Sequence, residues 1–144
     1  MFVRAAAIAL LLPAHAAAEA PLAERLAGAD VQRGERIVSK KCAAACHTYE
    51  KGGSARVGPN LWGVAGKPMA RRAGYGYSPA MRERAAQGGK WDGKTLDAYL
   101  ANPRKFLPGT SMTFVGLRKA QDRADVIVYL RSLSDEPEAL PEEP

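Results

Sequence analysis

The sequence has little of what would hold many small domains together. It has only 2 cysteines, which exclude a disulfide-stapled scaffold and leave room for one bridge. It has 3 Phe, 2 Trp and 5 Tyr in 144 residues, so aromatic core material is modest. No apolar run is long enough to make a membrane-crossing helix, which needs about 20 residues. No internal repeat is present and no strand-like alternation stands out, which argues against solenoid and all-β folds. Histidine is scarce too, at 2, and one of them, His15, falls in a leader-like start.

That start is a short basic stretch, Met1–Arg4, then an apolar run, Ala5–Leu12, then small residues around Ala16–Ala18. It reads as a secretory signal peptide over residues 1–18, cleaved on export, which places the mature protein in the periplasm. The rest divides into a body, 19–133, and an acidic, Pro-rich tail, 134–144, expected to be disordered. The body holds 20 basic and 10 acidic residues, a net +10. Such a field favours acidic partners. Charge alone would admit nucleic acid, but export and the lack of a recognisable binding motif argue against it.

Along the body, Asp30 reads as an N-cap and Val31–Lys41 as a helix, interrupted by Gly34, whose presence suggests a close helix crossing. Residues 50–76 read as loop. Helices are expected around Met81–Ala86, over Lys94–Ala101 and over Lys119–Ser132; Asn102-Pro103 ends the second. In the last, Val126, Ile127, Tyr129, Leu130 and Leu133 share a broad apolar face. Four to five helices and this much irregular chain make a poor all-protein core. A large flat cofactor wrapped by the loops would supply the missing apolar volume.

The chemistry centres on Cys42-Ala43-Ala44-Ala45-Cys46-His47. C-x-x-C-H marks covalent haem attachment: two thiols add across the vinyl groups and the next imidazole takes the iron. Here the spacing is one residue longer. A local disulfide and a redox dithiol remain alternatives, although no βαβ pattern accompanies the cysteines, and a zinc site lacks ligands.

Further motifs follow in order: Lys51-Gly52-Gly53, Gly58-Pro59-Asn60-Leu61-Trp62-Gly63, Tyr75-Gly76-Tyr77-Ser78, Trp91, then Asn102-Pro103-Arg104-Lys105-Phe106-Leu107-Pro108-Gly109-Thr110-Ser111-Met112 and Phe114. With Gly34 and Ile37 they make the stretch from about Gly28 to Leu133 resemble the class I cytochromes c, of the mitochondrial and short bacterial soluble type. The resemblance implies an all-α cytochrome c fold around one covalent haem c. Cys42 and Cys46 would carry the thioethers, with His47 and Met112 as axial iron ligands. Pro59 would accept from the His47 ring, and Tyr99 would lie near the Met112 sulfur, on the loop through Thr110. Tyr77 and Trp91 would hydrogen-bond a haem propionate, and Phe114 would cover the haem face.

On chemistry alone Met69 and Met81 compete with Met112; Met69 suits an exposed turn and Met81 a surface helix. The implied protein is a monomeric one-electron carrier, not an enzyme, serving acidic membrane redox complexes of the respiratory chain. The rival readings are a haem peroxidase or ligand-binding haem protein with a labile Met112, and a dithiol oxidoreductase. Two departures stand out: Ala45 is an extra residue between the cysteines, and Val38 replaces an aromatic expected to pack on the last helix. The extra residue predicts a π-type bulge over Ala43–Ala45.

Overall fold

The computed structural model describes residues 18–137 and 139; the proposed leader, except Ala18, and most of the acidic tail lie outside them. The described residues contain six α-helices: α1 Leu22–Ala27, α2 Val31–Ile37, α3 Pro79–Ala86, α4 Gly93–Ala101, α5 Pro103–Phe106 and α6 Ala120–Ser132. α2 continues into a π-helical segment, Val38–Ala43. Pro68 and Lys90 form an isolated antiparallel bridge. None of these helices is long and apolar enough to cross a membrane.

Side chains fix where the helices begin. Asp30, Ser78, Asp92 and Asn102 accept from the backbone N–H three residues on, opening α2, α3, α4 and α5. The Asn102-Pro103 break ends α4 as its chemistry requires. The proline then takes the first position of α5, where its missing N–H costs nothing. α1 and α5 are the helices that periodicity did not reveal; at 6 and 4 residues they are too short for one.

The core lies where α2 crosses α6. A Cβ on Gly34 would sit 2.0 Å from the Asp125 carbonyl oxygen and 2.7 Å from the Tyr129 Cβ, so only glycine lets the two helices approach this closely. Beside the crossing, Asp125 is fully buried and accepts from the Asp30 N–H at 2.9 Å and Arg33 Nε at 2.7 Å. Burial pushes its carboxyl up, but the Arg33 guanidinium and the Asp30 N–H outweigh that and hold it low. Val38 is fully buried despite its size, and Tyr49 meets Tyr129 edge-on at 6.2 Å nearby. All five apolar residues assigned to the α6 face are in fact in contact with the core.

Candidate functional site

A cavity of about 560 Å³ opens between the π segment, the 57–78 loop, α4, α6 and the 110–114 segment. That volume is within the usual range for small-molecule and cofactor sites, about 300–1,000 Å³. Its wall is mostly apolar, with Leu61, Val64, Leu96, Leu100, Val126 and Leu130 contributing.

The thiol end is built by a change of helical winding. The His47 N–H donates to the Cys42 carbonyl at 3.0 Å, a bond spanning five residues rather than four. A π-helical segment, Val38–Ala43, leads into it, and the five-residue bond itself encloses Ala43–Ala45, where the sequence places the bulge. Both thiols are free, with Cys42 buried and Cys46 half-buried. Burial pushes the Cys42 thiol up to about 11, with a smaller push from Cys46, so it is a poor thiolate nucleophile for disulfide exchange.

His47 is held from two sides. Its Nδ1 donates to the Pro59 carbonyl at 2.7 Å; a carbonyl can only accept, so Nδ1 carries the proton and Nε2 keeps its lone pair. A Cβ on Gly58 would come within 2.3 Å of the ring, so the glycine packs flat against it. Burial lowers the imidazole pKa, against the opposing pull of the Pro59 bond. The result is a neutral, oriented imidazole. The segment leading out of it is pinned by Gly58 N–H to Cys46 O at 2.7 Å and by Asn60 Nδ2 to Thr48 Oγ1 at 2.9 Å.

Across the chain, the Tyr99 hydroxyl and Thr110 Oγ1 are 2.9 Å apart, and Thr110 Oγ1 also accepts from the Met112 N–H at 3.3 Å. Trp91 packs on Tyr99 with ring centroids 4.9 Å apart. Cys42, Cys46, His47, Pro59, Tyr77, Trp91, Tyr99, Thr110, Met112 and Phe114 all line the one cavity.

Two readings of the sequence are corrected. Met69 is not on an exposed turn: it is 2% exposed, because its N–H bonds the Gly89 carbonyl at 2.9 Å and the Pro68–Lys90 bridge folds it inward. Met81 is not on the surface of its helix but buried at the cavity wall. The sequence reading also passed over Arg71 and Arg72, which line the cavity. Their position just ahead of Tyr75-Gly76-Tyr77 was the available signal.

The cytochrome c family matches the chain over residues 31–134, a span containing both cysteines, His47 and Met112. The chain belongs to the cytochrome c family. A "cytochrome c homolog" of Bradyrhizobium diazoefficiens is 48% identical over 129 residues, covering 89% of this chain and 67% of the relative. The cytochrome c of Gossypium barbadense is 48% identical over 102 residues, covering 71% and 88%. A "cytochrome c homolog" of Rickettsia bellii is 46% identical over 97 residues, covering 67% and 54%. The all-α architecture is that of the family, whose members are electron carriers with one covalent c-type haem and its iron. The site fits that group. An apolar cavity of suitable size gathers two thiols, a neutral imidazole and a thioether, a donor set suited to thioether formation and iron.

Proposed function

We propose that this chain is a soluble periplasmic one-electron carrier, with haem bonded through Cys42 and Cys46 and iron held by His47 and Met112. The observation that carries this reading is the His47 imidazole, neutral and fixed by Pro59, on a cavity wall shared with both thiols and Met112. The haem, when bound, supplies an iron that changes oxidation state by one electron. The chain's own residues do the rest. Pro59 fixes the imidazole and raises its basicity. Thr110 and Tyr99 hold the backbone of Met112, Tyr77 and Trp91 offer donors to the haem carboxylates, and Phe114 excludes water. With two protein ligands on the iron no position is left for substrate, so the protein is a carrier and not an enzyme.

One absorbance spectrum of the purified holoprotein tests the reading. Low-spin haem with sulfur ligation is expected. High-spin ferric haem would favour a peroxidase, and no haem would leave a dithiol protein.

Both thioethers are expected to form despite Ala45. With three residues between them, Cys42 and Cys46 still line the same cavity wall. The π winding of Val38–Ala43 gives the extra residue a place. Thiol alkylation of the holoprotein should find no reactive cysteine, and the alkaline pyridine haem spectrum should show no red shift. Deleting Ala45 should leave axial ligation unchanged and the holoprotein yield equal or higher. A reactive Cys42 with a red-shifted band would refute the two-link assignment.

Docking is charge-steered in this reading. Lys40 and Lys41 beside the thiols, and Arg104, Lys105 and Lys119 flanking the Met112 loop, are all exposed. They would meet acidic membrane redox complexes, with the protein as a monomer. The bimolecular electron-transfer rate should fall steeply with salt, since screening cuts the field to about 8 Å at physiological strength. Lys40→Glu with Lys105→Glu should slow it further, and a salt-independent rate would overturn the docking mode.

A further inference from the structure

The extra residue changes which carbonyl the thiol turn uses. In an α-turn the His47 N–H would bond the Ala43 carbonyl, four residues back. Here it bonds the Cys42 carbonyl at 3.0 Å, five back, and the Ala43 carbonyl is passed over. A backbone carbonyl left in this way needs another donor. Arg56 supplies one: its Nη1 donates to the Ala43 carbonyl at 3.2 Å. Arg56 is exposed and is not among the residues of the cavity wall. Among the described residues it forms no ion pair, so the carbonyl is the partner its guanidinium holds.

The backbone that carries Arg56 is itself fixed. The Arg56 N–H donates to the Gly58 carbonyl at 2.9 Å, and the Tyr75 hydroxyl donates to the Val57 carbonyl at 2.6 Å. From there residues 56–61 run beside residues 43–48. Gly58 N–H holds the Cys46 carbonyl, the Pro59 carbonyl holds the His47 ring, and Leu61 N–H holds the Thr48 carbonyl at 2.8 Å. Those three grips all fall downstream of Ala45. Upstream of it, the grip is the Arg56 side chain on Ala43. Cys46 and His47 are therefore placed by backbone, whereas the position of Cys42 relative to them depends on how the Ala43–Ala45 turn is set.

We propose that Arg56 is a positioning residue for haem attachment: by holding the Ala43 carbonyl it sets the widened turn so that Cys42, as well as Cys46, meets its vinyl group. The proposal rests on the carrier reading and its two thioethers; it is independent of which methionine completes the iron. Each thiol adds across one vinyl group, its sulfur to one carbon and its hydrogen to the other, so no oxidant or reductant is consumed. The requirement belongs to the longer spacing. With one residue fewer, the His47 N–H would reach the Cys42 carbonyl four residues back and pass over none.

The test counts links in Arg56→Ala holoprotein, by thiol alkylation and the alkaline pyridine haem spectrum. The ratio of one-link to two-link product should rise about tenfold, the effect of losing one hydrogen bond from a charged donor. The free thiol should be that of Cys42 and not Cys46. Arg56→Lys, which keeps a charged donor, should restore most of the second link. Deleting Ala45 in the Arg56→Ala background should restore all of it. The melting temperature of the two-link fraction should stay at the wild-type value, because Arg56 is a surface residue. Arg56→Ala with the wild-type ratio of links would overturn the proposal. So would a loss that deleting Ala45 does not repair, because Arg56 would then act on folding at large and not on this turn. Failure of the underlying reading would show earlier and separately, as a reactive Cys42 in the wild-type holoprotein, and would take the proposal with it.

Discussion

Replacing Met112 with alanine is expected to abolish the weak near-infrared sulfur-to-iron band of the ferric protein and to open the iron to added cyanide or peroxide. The potential should fall with it, by an amount on the order of 100 mV, given that axial ligands tune haem potentials over about 0.8 V. The direction is that of losing a soft thioether, which favours the ferrous ion. Three methionines lie among the described residues, and their surroundings separate them. Met69 is folded under the Pro68–Lys90 bridge, away from the cavity wall. Met81 does reach the wall, from the first turn of α3, and is the serious rival. Met112 is on a segment without helical hydrogen bonds, reached through a turn in which Gly109 has φ 89° and the Thr110 N–H bonds the Leu107 carbonyl at 3.0 Å. Its backbone is then fixed by Thr110 and, through it, Tyr99. Met81→Leu is the paired measurement. It should leave the band in place; a band lost there and kept in Met112→Ala would move the sixth ligand to α3.

The methionines also show what the sequence could and could not reveal. Met112 was legible because its neighbours in the chain, Pro108 to Thr110, form a recognisable motif. Met81 was not, because it is the one buried residue of α3, which is otherwise polar and gives no periodic signal. The long helices announced themselves through caps and apolar faces, and Gly34 announced the α2–α6 crossing. The extra residue at Ala45 implied a π-type turn, and the five-residue bond from the His47 N–H to the Cys42 carbonyl closes over it; the π winding that begins upstream at Val38 gave no signal of its own. Charges were the least legible. Nothing in the sequence joins Arg25, Asp97 and Arg123, which come from three separate helices, yet the fold brings them together.

That cluster carries the largest expected effect on stability. Arg25 on α1 grips Asp97 on α4 with both terminal nitrogens, at 3.0 and 2.8 Å, and Arg123 on α6 adds Nε at 2.8 Å. The arginine side chains are only 7% and 4% exposed. Glu19, at 54% exposure, reaches only Arg123. Asp97→Asn keeps the shape and removes the shared carboxylate, leaving two buried guanidiniums without it. Breaking a buried pair in this way costs about 3 kcal/mol. For a domain of this size that is roughly 10 °C in melting temperature. The pH dependence gives a second, independent readout. Burial pushes the Asp97 carboxyl up, but the hydrogen bonds from Arg25 and Arg123 outweigh it and hold its pKa below the ordinary value. A lowered folded pKa means the contribution is fully present above the unfolded value, about 3.9, and is lost as pH falls through the lower folded one. Denaturant unfolding of wild type and Asp97→Asn should therefore show a constant gap from pH 7 to about 5, closing below about 4. Equal stabilities at pH 7 would show that the arginines find other partners, and a gap that persists unchanged into strong acid would show that the loss is one of packing and not of charge.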